Sequence, residues 1–344
     1  MVLVYMKSIV CERVSILTTL LCTLLIISCT PNKDQKWVGT WSTAQQIVEP
    51  HNMPPEPGLN GTTIRQIVQV SLGGSEIRVS LSNAFGLSPI IINATHLAPA
   101  IGGSAIIPEK NSALTFNGQS TVTIQPGDSV LSDPFLFDLK PLSKVAITMY
   151  VEKVDEQLTG HPGSRTTSFI LEGNHISDLE FKNPVTTDHW YIIDAIHVKA
   201  PDEAAAIAII GDSITDGRGS GTNKQNRWPD VLASRLQAND ATKNVSVLNH
   251  GIGGNCVTRS CLGPSAQSRF ERDVINQPGV KWLIILEGVN DIGGVHTEEQ
   301  AEEISNSIIS VYEEMIQKAQ ANNILVYGGT IMPFGGSFYD RPAS

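Results

Sequence analysis

Near residue 202 the hydrophobic pattern of this chain changes its period, and no other feature of the sequence limits the fold as much. Between Thr62 and Val151 the segments TIRQIVQVSL, SEIRVSLSN, STVTIQPG and SKVAITMYVE alternate apolar and polar residues, separated by Gly, Pro, Asn and Asp. Period two puts one face of each strand in a core and the other in water, the pattern of an antiparallel, jelly-roll-like β-sandwich. Leu72-Gly73-Gly74, between the first two segments, reads as a hairpin turn. After Ala200-Pro201-Asp202-Glu203 the apolar residues come in unbroken runs, AAAIAII, NVSVLN, KWLIILEG and NILVYGG, as strands covered on both faces require. WPDVLASRLQA reads as a helix with Pro229 in its first turn. A longer helix is opened by a capping box of Thr297 and Gln300 and carries Ala301, Ile304, Ile308, Val311, Met315 and Ala319 at helical spacing. The order β-α-β-α-β-α-β implies a parallel sheet sandwiched by helices. The expected domains are a β-sandwich over 37–201 and an α/β domain over 202–344.

Ahead of them, Lys7 and Arg13 precede an apolar run from Val14 to Ile27, too short and too poorly flanked for a transmembrane helix. Residues 1–29 read as an export signal and 30–36 as a polar tether. Ile26-Ile27-Ser28-Cys29 resembles the lipobox of bacterial lipoproteins, in which Cys29 is lipidated; the other reading is an ordinary signal peptide with an incidental cysteine. Either way the body is expected outside the cytoplasm, in the bacterial envelope or secreted, with the membrane reached only through a lipid anchor. The net charge of −10, with no Lys/Arg cluster, argues against nucleic acid and for a neutral or weakly charged substrate. Once the signal is removed, Cys256 and Cys261 are the only cysteines. They read as a small disulfide loop or as two free thiols, and they are too few for a metal site.

In a parallel sheet of this kind ligands bind beyond the carboxyl ends of the strands. Gly211-Asp212-Ser213 follows the first strand there, the loop NHGIGGN with Gly254 follows the second, and EGVND with Asn290 follows the third. A hydroxyl with uncharged hydrogen-bond donors is what acyl transfer needs to hold a developing oxyanion. Taken singly, Ser213 and Asn290 read equally as loop caps. Thr215 stands where a GxSxG elbow has its second glycine, and GDSITDG lacks the dinucleotide-binding G-x-G-x-x-G spacing.

GDSITDG, GIGGN and EGVND, in this order and context, resemble the first three blocks of the GDSL or SGNH hydrolases across about residues 205 to 335. The resemblance implies a three-layer, flavodoxin-like domain that hydrolyses esters without metal or cofactor. It implies Ser213 as nucleophile, supported by Asp212, and an oxyanion hole of the Ser213 N–H, the Gly254 N–H and the Asn290 side chain. With the preceding β region it is similar to exported bacterial members acting on carbohydrate esters, which implies an acylated, chiefly acetylated, polysaccharide or oligosaccharide as substrate.

One departure weighs against activity. The family's fourth block, D-x-x-H, supplies the catalytic Asp and His, and all eight histidines of this chain lie earlier than its position. His296 reads as a surface residue before the helix cap, and His250 sits in the glycine loop, where the family places no base. The expectation is a chain truncated before its last strand and helix and nearly inactive as it stands. The rival readings are a lipase or thioesterase, which would want an apolar acyl groove where these loops are polar, and a carbohydrate-binding surface protein without catalysis. Trp41, His161, Arg165 and Trp190 are candidates to meet substrate, with core packing or capping as the alternative.

Overall fold

The structure is a computed structural model that describes residues 34–337 and 339–340. The expected export signal, Cys29 included, lies outside the described residues. From Lys36 onward the chain makes one compact unit.

Two large sheets supply the sandwich. The eight-stranded sheet runs Val185–Thr187, Ser168–Glu172, Thr62–Gln69, Lys144–Lys153, Ile90–Gly102 and Ala105–Ile106, with Ser112–Ala113 and Val122–Ile124 also on Ile90–Gly102. The five-stranded sheet runs Gln35–Ser42, Ile193–Pro201, Gly74–Ser82 and Phe135–Leu139, with Ser129–Leu131 also on Gly74–Ser82. Ile77, Val79 and Leu81 of one sheet and Val145, Ile147, Met149 and Val151 of the other are buried in a single cluster, the alternate positions that period two demands. A small sheet of Trp190–Tyr191, Thr159–His161 and Gln46–Ile47 completes the β region.

The hairpin expected at Leu72–Gly74 does not form. Thr62–Gln69 pairs with Lys144–Lys153 and Ser168–Glu172, whereas Gly74–Ser82 pairs with strands of the other sheet. The segment crosses between the two layers, and its glycines serve close packing: a Cβ on Gly73 would lie 2.6 Å from the Leu139 carbonyl oxygen. Alternation sets which face of a strand is buried but not which sheet it joins.

The pairing changes from antiparallel to parallel between Pro201 and Ala205. Val245–Gly251, Ala205–Gly211, Val280–Leu286 and Leu325–Gly328 lie side by side in that order, all parallel. In chain order this is 2-1-3-4, the first four places of the flavodoxin-like arrangement. Helix Trp228–Gln237 covers one face through Ala233, packed with Ile209 and Val247. The other face, with Ala208, Ile210, Leu283 and Ile285, is covered by helix Glu298–Ala321 and by Phe270 and Val274. The last two belong to helix Ala266–Phe270 and to the π turn Glu271–Ile275 that continues it. Among the described residues no helix is long and apolar enough to cross a membrane.

The sandwich covers the open edge of this sheet. Thr43 bridges to Asn249, the Ser246 hydroxyl donates to the Gly39 carbonyl at 2.6 Å, and Leu248, Ala204 and Ala206 pack into the sandwich core. An edge strand left bare would offer its backbone to other chains, and here that edge is occupied.

Candidate active site

At the end of the first parallel strand, Asp212 caps a one-turn helix, Ser213–Asp216, by accepting from the Ile214 N–H at 2.8 Å. Ser213 thus stands at the first helical position, where its N–H precedes the helical ladder. The turn closes on Gly217, whose φ of 106° suits glycine. The elbow lies tight on the sheet: a Cβ on Gly211 would lie 2.6 Å from the Leu286 carbonyl oxygen, and one on Gly251 would strike the Thr215–Asp216 backbone. Burial lifts the Asp212 carboxyl to about 6, partly opposed by its bond from Ile214. The Ser213 side chain is half-buried and has no hydrogen-bond partner among the described residues.

The second strand runs into Ile252-Gly253-Gly254-Asn255. Gly254 takes φ 69°, a left-handed conformation in which a side chain would be strained, and its N–H has no acceptor among the described residues. After the third strand, Asn290 lies on the short helix Val289–Ile292. Its Nδ2 donates to the Asn255 carbonyl at 2.7 Å, and its Oδ1 accepts from the Tyr339 hydroxyl at 2.7 Å. Since a carbonyl can only accept, the amide orientation is set, and its second N–H remains. The structure therefore ties Asn290 directly to the Gly254 loop.

Two groups that sequence reasoning missed, Asp291 and Arg269, hold these loops, and a third, Glu287, lies beside them. Asp291, fully buried, accepts from the Val257 N–H at 2.8 Å and from the Thr258 hydroxyl at 3.1 Å. It thereby anchors the loop that Cys256 and Cys261 close with a disulfide. Arg269, also buried, donates to the carbonyls of His250 and Gly211, at 2.6 and 3.2 Å, and to Asn255 Oδ1 at 2.9 Å. It joins the ends of the first two strands from below and is balanced by Asp273 at 2.9 Å. Glu287 lies 3.7 Å from Arg269, but neither carboxylate oxygen has a hydrogen bond, and burial outweighs the guanidinium and lifts it to about 8. Asp291 adjoins Asn290 in EGVND, a signal within reach of the sequence; Arg269 carries none.

The histidines and tryptophans go elsewhere. His250 is buried, holds Ser42 Oγ at 2.9 Å and is pushed down to about 4 by burial, so it is neutral and committed to the sandwich. His161 is buried between the Ala44 carbonyl and Asp216 Oδ1, each at 2.9 Å. His296 is exposed, and its backbone N–H donates to Gln300 Oε1. That completes the cap in which Thr297 Oγ1 accepts from the Gln300 N–H. None of the eight histidines is hydrogen-bonded to Ser213. Trp41 and Trp190 stack edge to face at 5.1 Å in the core. The Arg165 carbonyl accepts from the Asn223 N–H at 2.9 Å, so its loop packs on the segment after the elbow.

Residues 209–344 match the family model of the GDSL-like lipases and acylhydrolases. No curated protein matches the chain. Among solved structures it is similar to a protein from Desulfitobacterium hafniense DCB-2 described as lipolytic and of the G-D-S-L family, at 24% identity over 39% of this chain, with TM-score 0.29. The chain spans 63% of that protein's length. It is also similar to a family two carbohydrate esterase from Clostridium thermocellum solved with cellohexaose, at 11% identity over 90% of this chain and 77% of that one, with TM-score 0.29. A third, Est24, a carbohydrate acetylesterase from Sinorhizobium meliloti, is 13% identical over 36% of this chain and 83% of its own, with TM-score 0.24. The match in the family model, over the segment that holds the three strand-end loops, makes residues 209–344 a GDSL-like lipase/acylhydrolase domain.

Proposed function

We propose that the protein hydrolyses esters on a polysaccharide or oligosaccharide, with Ser213 as nucleophile and the N–H groups of Ser213, Gly254 and Asn290 receiving the oxyanion. The observation that carries this reading is the tie between Asn290 and the Asn255 carbonyl, which sets an oriented amide beside a glycine loop with an unused N–H. Attack by Ser213 Oγ on the acyl carbonyl puts the negative charge on the carbonyl oxygen, where such donors act most strongly. The exposed Arg218, Gly219 and Thr222 beyond the elbow give the rim a polar character that suits a sugar, with acetyl as the smallest acyl group. The export signal and Cys29 anchor would place this activity in the bacterial envelope, where acylated glycans are found.

With no imidazole on Ser213, turnover by this chain should be slow. The test is p-nitrophenyl acetate and acetylated xylo-oligosaccharide, assayed with and without added imidazole, each rate taken above that of the same imidazole without protein. We expect a low rate that imidazole raises and that Ser213→Ala abolishes, with Asn290→Ala costing about 10²–10³ in kcat. An imidazole-stimulated rate that survives Ser213→Ala would overturn the assignment.

A further inference from the structure

A cleft of about 440 Å³ opens between residues 47–50 and 260–264, beside the Gly254 loop. Its walls are chiefly Ile47, Val48, Pro50, Phe85, Leu262 and Pro264. Ile47 and Leu262 are 46% and 50% exposed, so these apolar side chains face open space instead of closing on one another. Leu262 is the shared wall: its Cδ1 lies 2.7 Å from where a Cβ on Gly254 would stand, and its N–H donates to the Gly254 carbonyl. On this side the disulfide and Asp291 hold the loop, and on the other the small sheet through Gln46–Ile47 holds the sandwich segment. The charged group on the lining, Glu49, has both oxygens occupied by the amides of Gln46 and Asn52, at 2.7 and 3.0 Å. Its negative charge disfavours an anionic occupant. A concave, mostly apolar space that shares the Leu262 wall with the Gly254 loop suits the uncharged hydrocarbon part of an ester.

We propose that this cleft receives the acyl chain of the substrate, so that the preferred ester carries an alkyl acyl group longer than acetyl. Acetyl would reach the oxyanion donors and leave the cleft empty. The inference rests on the reading of Gly254 as an oxyanion donor. It also supplies an acyl groove that the polar loops around Ser213 and Gly254 do not show in the sequence, because the lining comes from three distant stretches, 47–50, Phe85 and 260–264.

Binding can be read without turnover. The Ser213→Ala chain is titrated by ligand-observed NMR with ethyl acetate, ethyl butanoate and ethyl hexanoate, and with butyl and hexyl acetate as the mirror series. We expect Kd to fall about fourfold per methylene along the acyl series and to stay level along the mirror series. Leu262→Asp, and independently Ile47→Asp, should flatten the acyl series. A level acyl series, or a gradient untouched by both substitutions, overturns the proposal, and a gradient confined to the mirror series overturns it by assigning the cleft to the alcohol. Absence of imidazole-stimulated hydrolysis alongside an intact acyl gradient would instead sink the esterase reading and leave the binding cleft standing.

Discussion

Glu287 sits at the end of the third strand with no hydrogen bond to either oxygen, and its raised pKa has a thermodynamic sign that can be worked through. Its folded value of about 8 stands above the ordinary 4.5, so between those values the folded chain holds a proton that the unfolded chain has released. Stability then falls as pH rises from about 5 to 8, and the loss is complete above the folded value. Replacing the group by an uncharged isostere removes that slope. Glu287→Gln is therefore expected to flatten urea stability against pH over this window and to be more stable than the parent at pH 8.5; an unchanged slope would show that Glu287 is ionised in the fold, paired with Arg269. Asp273 works the other way. Held well below its usual range by the guanidinium groups of Arg272 and Arg269 against the opposing effect of burial, it contributes stability above its unfolded pKa that is lost in acid. The placement of Ser213, Gly254 and Asn290 at the strand ends was legible from the chain because each lies a few residues beyond an apolar run. Arg269, Glu287 and the His161–Asp216 pair were not, since their meaning lies in partners that only the folded sheet brings near.

Among the elements, the loop between the second strand and helix Ala266–Phe270 shows how local chemistry and tertiary ties divide the work. The Cys256–Cys261 bridge closes a short ring, and Asp291 pins the same ring to the third strand's helix. Closing so few residues removes little unfolded-chain entropy, about 2 kcal/mol. Replacing both cysteines by serine should lower urea stability by that amount or less while also weakening the acyl-series gradient, because Leu262 belongs to this loop. A loss well above 3 kcal/mol would mean that the loop supports more of the core than its contacts suggest. Helix caps were readable at this scale: Thr297 and Pro229 stand where the sequence put them. Strand partners were not, as Leu72–Gly74 demonstrates. Turn residues reveal that a chain changes direction, while the layer it enters depends on which distant strand buries its apolar face.

At the scale of the whole molecule, the change of period at residue 202 separates two pairing patterns without separating two cores. Ala204, Ala206 and Leu248 of the parallel sheet pack in the same cluster as Val38, Val70 and Trp41. One buried polar link is His161 to Asp216, joining the small sheet of the sandwich to the helix that starts with Ser213. Gly163 lies so close to Asp216 that any side chain there would strike the carboxylate. Both ring nitrogens of His161 face acceptors, the Ala44 carbonyl and Asp216 Oδ1, and removing the ring strands Asp216 in the interior. His161→Ala should accordingly cost about 3–5 kcal/mol. The loss should appear equally in sandwich strand Lys144–Lys153 and parallel strand Ala205–Gly211, because one shared core unfolds as one. Hydrogen exchange followed by mass spectrometry across a urea series reads the two strands separately. Coincident midpoints in the parent that shift together in His161→Ala are the expected result. Two separate midpoints, with only one moved by the substitution, would mean that the sandwich and the α/β sheet are independent domains, as the break at residue 202 first suggested, and that the Ser213 elbow does not depend on the sandwich for its place.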